Sequence, residues 1–193
     1  MHEREVLFTG VGGQGVQIVS KALAMAAVAE GREALLLPQY SGGMRGSKTN
    51  AELTVGDAPL RALPIVIDAW SAFVMDQAFW ETIRPKLAPG AVVVVNASLF
   101  HLPVAVDDAH VVEVPASDIA AQLGSPMSAG FVLAGAFATV TGIVAVPSLV
   151  AAMRELVPPY RTQHVAANEA AIEAGANAAP ALAAPAWPDV VVP

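Results

Sequence analysis

Residues Thr9 to Val16 read Thr-Gly-Val-Gly-Gly-Gln-Gly-Val, and Gly10, Gly12 and Gly15 fit the spacing G-x-G-x-x-G. The stretch follows the apolar run Val6-Leu7-Phe8 and precedes an Ala-rich segment of helical spacing, Ile18 to Ala29. That order, strand then glycine turn then helix, is the context that gives the spacing chemical meaning. Glycines let the backbone turn tightly and approach a neighbour closely. N–H groups at a helix start attract an anion. Gly10, Gly12, Gly13, Gln14 and Gly15 are therefore candidate ligand-binding residues. A dinucleotide site would also need an acid about 20 residues on, at the tip of the second strand, to hold the ribose hydroxyls. Here that strand, Ala34 to Leu37, ends in Pro38-Gln39-Tyr40, and Glu30 and Glu33 precede it. An independent NAD(P)-binding oxidoreductase is thus a weaker alternative.

A second small-residue loop runs Tyr40-Ser41-Gly42-Gly43-Met44-Arg45-Gly46-Ser47. It follows strand two, at the carboxyl edge where open α/β sheets bind ligands. A guanidinium there offers a planar fork of donors to a phosphate or carboxylate. Tyr40, Ser41, Met44, Arg45 and Gly46 join the candidates, as does Asn96, at the end of the strand Val92 to Val95 with Ser98 nearby. Asp68 reads better as a helix entry, with Ser71 capping a helix to about Ile83. His2, His101, His110 and His164 lack metal-like spacing, and no G-x-S-x-G elbow is present. No catalytic residue and no metal ligand is assigned.

Composition narrows the function classes. The 193 residues suit a single domain. Charged residues make up 14% and hydrophobic residues 55%, with a mean hydropathy of +0.55. An isolated soluble domain carries about 25% charge, so this balance implies large protein interfaces or membrane burial. The net charge of −7 argues against nucleic acid. With no cysteine, this chain can form neither a disulfide, a thiolate zinc site nor an iron–sulfur site. The start Met1-His2-Glu3-Arg4-Glu5 has no apolar core of a signal peptide, which makes the cytoplasm the expected location. Residues 129–146 carry no charge over 18 residues, the lower limit for a membrane span. Their glycines and threonines point instead to a buried helix from Ser128 to Thr141, ended by Gly142.

The elements alternate. Strands are expected at Val6–Thr9, Ala34–Leu37, Ile65–Ala69, Val92–Val95 and Val111–Val114, with a half-buried or edge strand at Thr49–Val55. Helices are expected at 16–30, 71–83, from 117 to Gly124, at 128–141, 147–156 and 162–175. This is an α/β pattern with a mostly parallel sheet and a C-terminal helical segment. Residues 1–175 form the domain, and 176–193 an Ala/Pro-rich extended tail.

The motif Gly10-Val11-Gly12-Gly13-Gln14-Gly15, with Met44-Arg45-Gly46 about 30 residues later in a Tyr-led loop, resembles the gamma subunit of the 2-oxoacid:ferredoxin oxidoreductases. The Pro89-Gly90 turn and Asn168-Glu169 in the late helix also match. Ser41-Gly42-Gly43, Ser47 and Ser128-Ala129-Gly130 depart from the usual pattern. The resemblance implies a three-layer Rossmann-like fold. It implies partners: thiamine-diphosphate-binding alpha and beta subunits and a ferredoxin-like iron–sulfur subunit. Thiamine diphosphate, Mg2+ and [4Fe–4S] clusters would lie on those partners. Coenzyme A would be the co-substrate, and this chain would help shape its site. A non-catalytic assembly module is the other alternative.

Overall fold

Four consecutive valines, Val92 to Val95, can be buried only where both faces of a sheet are covered. The computed structural model, which describes residues 2–40, 46–60, 65–101, 104, 106, 108–180 and 185–187, places them at the heart of a six-stranded sheet. The strands are β1 (Glu3–Val11), β2 (Glu33–Tyr40), β3 (Lys48–Gly56), β4 (Ala69–Val74), β5 (Leu87–Asn96) and β6 (Ala109–Val114). Their order is β2-β3-β1-β4-β5-β6. β1, β4, β5 and β6 pair in parallel, while β3 runs antiparallel to both β1 and β2.

Helices cover the two faces unequally. On one face lie α1 (Val16–Ala29), α3 (Ala116–Gln122), α4 (Ala129–Thr141), α5 (Val146–Leu156) and α6 (Val165–Ala178). Val6, Phe8, Phe73, Val92 and Val94 point into that layer. Phe8, Phe73 and Phe137 meet there as an aromatic trio, with centroids 5.4, 6.2 and 6.0 Å apart. The other face is thin. Leu7, Ala72, Val74, Val93 and Val95 pack against Trp80 and Ile83 of the one-turn α2 (Trp80–Ile83), and against Val66.

α1 forms because Val16, Val19, Leu23, Ala26 and Ala27 recur at helical spacing and are all buried. α4 has 12 of its 13 residues buried and stops where Gly142 turns left-handed at φ 58. It is the uncharged stretch that imitates a membrane span. Among the described residues no helix is long and apolar enough to cross a membrane.

Three sequence expectations are corrected. The strand expected at Ile65–Ala69 and the helix expected from Ser71 are displaced by a strand, Ala69–Val74, in which Ser71 is buried and caps nothing. Trp70-Ser71-Ala72-Phe73-Val74 carries no helical signal stronger than its burial on both faces. Asp68 consequently lies exposed at the amino edge of β4, away from the ligand edge. Third, β3 is no edge strand: it is interior, between β2 and β1. Its alternation reflects a polar row, Asn50, Glu52 and Thr54, on the thin face. α6 runs on to Ala178, and the chain then returns: the Ala186 N–H donates to the Thr141 carbonyl at 2.8 Å, and Trp187 is buried under the Arg32 guanidinium.

Candidate functional site

The glycine turn sits at the carboxyl end of β1, between β3 and β4. Gly13 (φ 106) and Gly15 (φ 82) adopt backbone angles that L side chains avoid, and Gly15 is the N-cap of α1. Gly10 is needed for space. A Cβ there would lie 2.8 Å from Gln14 Oε1, 2.8 Å from Val16 Cγ2 and 2.9 Å from Met75 Cβ. On the helix side, Gly130 lets the start of α4 rest on the Gln14 carbonyl, 2.8 Å from where a Cβ would stand. Ser128 ties that start to α6 through Asn168 Oδ1 at 2.9 Å.

Gln14 organises the turn from within. Its Oε1 accepts the Val11 N–H at 2.7 Å, and its Nε2 donates to Asp76 Oδ2 at 2.8 Å. Asp76, at the tip of β4, also accepts the Ala78 N–H on Oδ1 at 2.9 Å, opening a 3-10 turn that leads into α2. The Gly12 N–H donates to the Ser47 carbonyl at 2.9 Å, which fastens the turn to the loop between β2 and β3. Gln17 of α1 donates to the Asn50 carbonyl at 2.7 Å, and Thr9 Oγ1 donates to Asn50 Oδ1 at 2.8 Å. The carboxyl edges of β1 and β4 and the adjoining start of β3 are thus stitched together largely by side-chain amides.

Beside the turn, on the thin face, a cavity of about 130 Å³ is lined by Gln39, Lys48, Asn50, Thr82 and Lys86, with Glu52 among its walls. Lys48 Nζ donates to Thr82 Oγ1 at 2.8 Å. Lys86 Nζ meets the buried Glu52 carboxylate at 3.1 Å, whose other oxygen takes the Val66 N–H at 2.8 Å. The ion pair leaves Glu52 no unpartnered buried charge.

Of the candidates from sequence, Gly10, Gly12, Gly13, Gln14 and Gly15 form one turn, and Gly46 stands beside it in the segment that Gly12 grips. Tyr40 closes β2 opposite Thr49. Ser41, Met44 and Arg45 lie outside the described residues. Asn96 is at the expected edge but fully buried. Its amide donates to Ser117 Oγ (2.8 Å) and the Met75 carbonyl (3.3 Å), and its Oδ1 accepts the Ser117 N–H (3.1 Å). Those bonds pin α3 to β5 and leave no amide group for a ligand. Sequence reasoning missed Asp76, Gln17 and Asn50, while Ser47, read as part of the second loop, is the residue whose carbonyl Gly12 grips. Reading residues 71–83 as one helix hid the strand tip on which Asp76 stands.

The geometry also removes the dinucleotide reading. In such a fold the ribose acid comes from the strand next to β1. Here β3 lies between, so the tip of β2 stands two strand spacings from β1, roughly 10 Å.

A match to the pyruvate ferredoxin/flavodoxin oxidoreductase family spans residues 5–178. The chain belongs to this family. Relatives within the oxidoreductase family include pyruvate synthase subunit PorC of Methanothermobacter thermautotrophicus, 31% identical over 157 residues, 80% of this chain and 85% of that one. The 2-oxoglutarate synthase subunit KorC of Methanocaldococcus jannaschii is 27% identical over 158 residues, covering 80% and 84%. The gamma subunit of NADH-dependent phenylglyoxylate dehydrogenase of Aromatoleum evansii is 28% identical over 177 residues, covering 89% and 91%. The fold is that of the keto/oxoacid ferredoxin oxidoreductase gamma subunit of Geobacter sulfurreducens, with a TM-score of 0.77 at 22% identity, covering 91% of this chain and 98% of that one. The 2-oxoglutarate:ferredoxin oxidoreductase of Magnetococcus marinus contains the same fold, with a TM-score of 0.83 at 16% identity over 93% of this chain and 31% of that longer one. The oxidoreductase family thus places this chain among its gamma-type members.

Proposed function

We propose that this chain is the gamma subunit of a multisubunit, cytoplasmic 2-oxoacid:acceptor oxidoreductase, and that the carboxyl edge around Gly10–Gly15 shapes the coenzyme A region. The overall reaction converts a 2-oxoacid and the thiol of coenzyme A into an acyl thioester, CO2, a proton and an electron pair for ferredoxin. Alpha and beta subunits would hold thiamine diphosphate with Mg2+, and a ferredoxin-like subunit the [4Fe–4S] clusters. A chain with no cysteine supplies no thiolate to such clusters. The Magnetococcus enzyme, solved with 2-oxoglutarate, coenzyme A and succinyl-CoA bound, keeps this fold in its larger chain.

The observation that carries the reading is the Gly12–Ser47 bond. It joins the glycine turn to the loop after β2 at the sheet's ligand edge, in a chain of this family. Within the proposed site Gly13 presents exposed backbone, α1 directs its positive end at the turn, and Lys48 stands on the adjoining face, where Lys86 is paired with Glu52. A coenzyme A phosphate suits that positive setting, and Arg45, four residues after Ser41, supplies a guanidinium to the same ligand in this proposal.

The test uses the complex reconstituted with its partner subunits. The chain alone turns over no 2-oxoacid in the presence of coenzyme A, thiamine diphosphate and an electron acceptor, whereas the complex does. Arg45→Ala raises the KM for coenzyme A about 10- to 150-fold, as expected for loss of a charge-assisted hydrogen bond, with the complex still assembled in gel filtration. Arg45→Lys recovers part of the loss, because it keeps charge without the fork. Dissociated subunits with unchanged coenzyme A kinetics would make Arg45 an interface residue instead.

A further inference from the structure

We propose that Asp76 is a positioning residue of the acyl-acceptor site, acting through Gln14 to set the shape of the glycine turn. The inference rests on the reading of that turn as part of the coenzyme A region. A turn containing Gly10, Gly12, Gly13 and Gly15 has little stiffness of its own, since glycine visits more of backbone space than any other residue. Something must select one conformation. Among the described residues the side chain that reaches into the turn and bonds its backbone is Gln14, through the Val11 N–H at 2.7 Å. An amide that can rotate about its last torsion is itself undefined until its other end is held. Asp76 holds it, accepting from Nε2 at 2.8 Å.

Asp76 is oriented in turn. Its Oδ1 takes the Ala78 N–H at 2.9 Å, so each carboxylate oxygen faces a different donor. The chain of bonds runs Val11 N–H to Gln14 Oε1, Gln14 Nε2–H to Asp76 Oδ2, and Ala78 N–H to Asp76 Oδ1. It links the loop after β1 to the loop after β4. A bond to an ionised acceptor is shorter and stronger than a neutral one, which suits a clamp on a flexible turn. The polarity of the chain is fixed at its two ends by the Val11 and Ala78 N–H donors, each of which needs an acceptor, so the bond between positions 14 and 76 needs one donor and one acceptor.

That polarity gives a sharp test. Asp76→Asn replaces one acceptor by a donor. Whichever way either amide rotates, two donors face each other at Gln14, Val11 or Ala78. Gln14→Glu sets two carboxylates against one another. The double variant Gln14→Glu/Asp76→Asn restores every bond with the roles exchanged. The new carboxylate accepts from Val11 and from the new amide, whose oxygen still accepts from Ala78. Size and net charge stay those of the parent.

The four forms are compared in the reconstituted complex for KM and kcat with coenzyme A, and by hydrogen exchange in the segments holding Val11 and Ala78. Each single variant should raise the KM for coenzyme A by about tenfold, change kcat less, and speed exchange in both segments. The double variant should return KM to within about twofold of the parent and restore protection, the coupling expected of residues in one network. Single variants with parental KM overturn the inference, even if their stability falls. A double variant no better than the worse single also overturns it, since charge or bulk would then matter and the bond chain would not. A parent complex indifferent to coenzyme A overturns the functional reading and this inference together. A coenzyme A-dependent parent with unresponsive variants overturns this inference alone.

Discussion

At Gly13 and Gly15 the backbone is left-handed, at φ 106 and 82, and a Cβ on Gly13 would meet nothing within 4 Å. At Gly135 and Gly175 the backbone is ordinary helix, and a Cβ would land on the Ile172 and Val132 carbonyls of the facing helix. The first pair of glycines is needed for conformation, the second for size. Conformation at a turn leaves a trace in sequence, because glycines cluster at fixed spacing beside a strand and a helix. Size at a helix crossing leaves almost none, because lone glycines in an apolar helix are compatible with several packings. Gly10 combines the two regimes. It lies in the turn, yet a side chain there would press on Gln14, Val16 and Met75.

The largest effect is expected at the crossing. Gly135→Ala drives a methyl into the backbone of α6, and rigid backbone cannot give way as a side-chain tip does. Overpacking of this kind costs about 3 kcal/mol, near the upper end of its usual range. For a chain of this length that is roughly 6–12 °C in Tm. Thermal unfolding of the full chain measures it. Coenzyme A kinetics of any complex that still assembles should change far less than Tm, because the crossing at Gly135 lies more than one helical turn from Gly130, where α4 meets the Gln14 carbonyl. Unchanged Tm would mean that α4 and α6 sit farther apart than the structure shows.

The turn itself separates the two requirements. Gly10→Ala should cost about 2–3 kcal/mol by overpacking and should also raise the KM for coenzyme A, since the clash falls on Gln14 Oε1. Gly13→Ala meets no atom and should cost only the backbone strain, about 1–2 kcal/mol. Chemical denaturation of both variants, with KM measured on the complexes, checks the order. Equal costs would mean that the turn relaxes around Gly10 and that its packing is loose.

Most of the fold was legible in the chain. The alternation of apolar runs with helical segments located α1, α3, α4, α5 and α6 and five of the six strands, with ends displaced by at most five residues. The buried valines of β5 announced a strand covered on both faces. What stayed hidden shares a cause. Trp70 to Val74 is short and apolar, and periodicity cannot distinguish a buried strand from a buried helix over such a length. With β4 displaced, Asp76 lost its place at a strand tip. The position of β3 between β1 and β2 depends on long-range pairing that no local pattern encodes, yet it decides against a dinucleotide. Asn96 was placed at the right edge but given the wrong partners, because its bonds to Ser117 come from the fold and not from its neighbours in sequence.

The smallest effect concerns the solvent-facing side of the same helical layer that holds the crossing. Arg154 of α5 meets Glu169 of α6 through two parallel bonds, Nε to Oε1 at 2.5 Å and Nη2 to Oε2 at 2.9 Å. Hydrogen bonding from Arg154, supported by its charge, holds the Glu169 carboxyl below its ordinary range and lifts the guanidinium above its own. A carboxyl whose folded value is depressed contributes stability that is fully present above its unfolded value, about pH 4.3, and fades as pH falls through the folded one. Glu169→Gln should therefore lower Tm slightly at pH 7, and the gap to the parent should close on acidification below about pH 4. The loss should also shrink in high salt, because the pair is exposed and screened. A gap that stays the same size from pH 7 through the whole acid range would show that Glu169 matters through its packing on α5 rather than its charge. The deep glycine crossing would then be joined by a second contact fixed by shape, and the electrostatic account of the outer surface would fail.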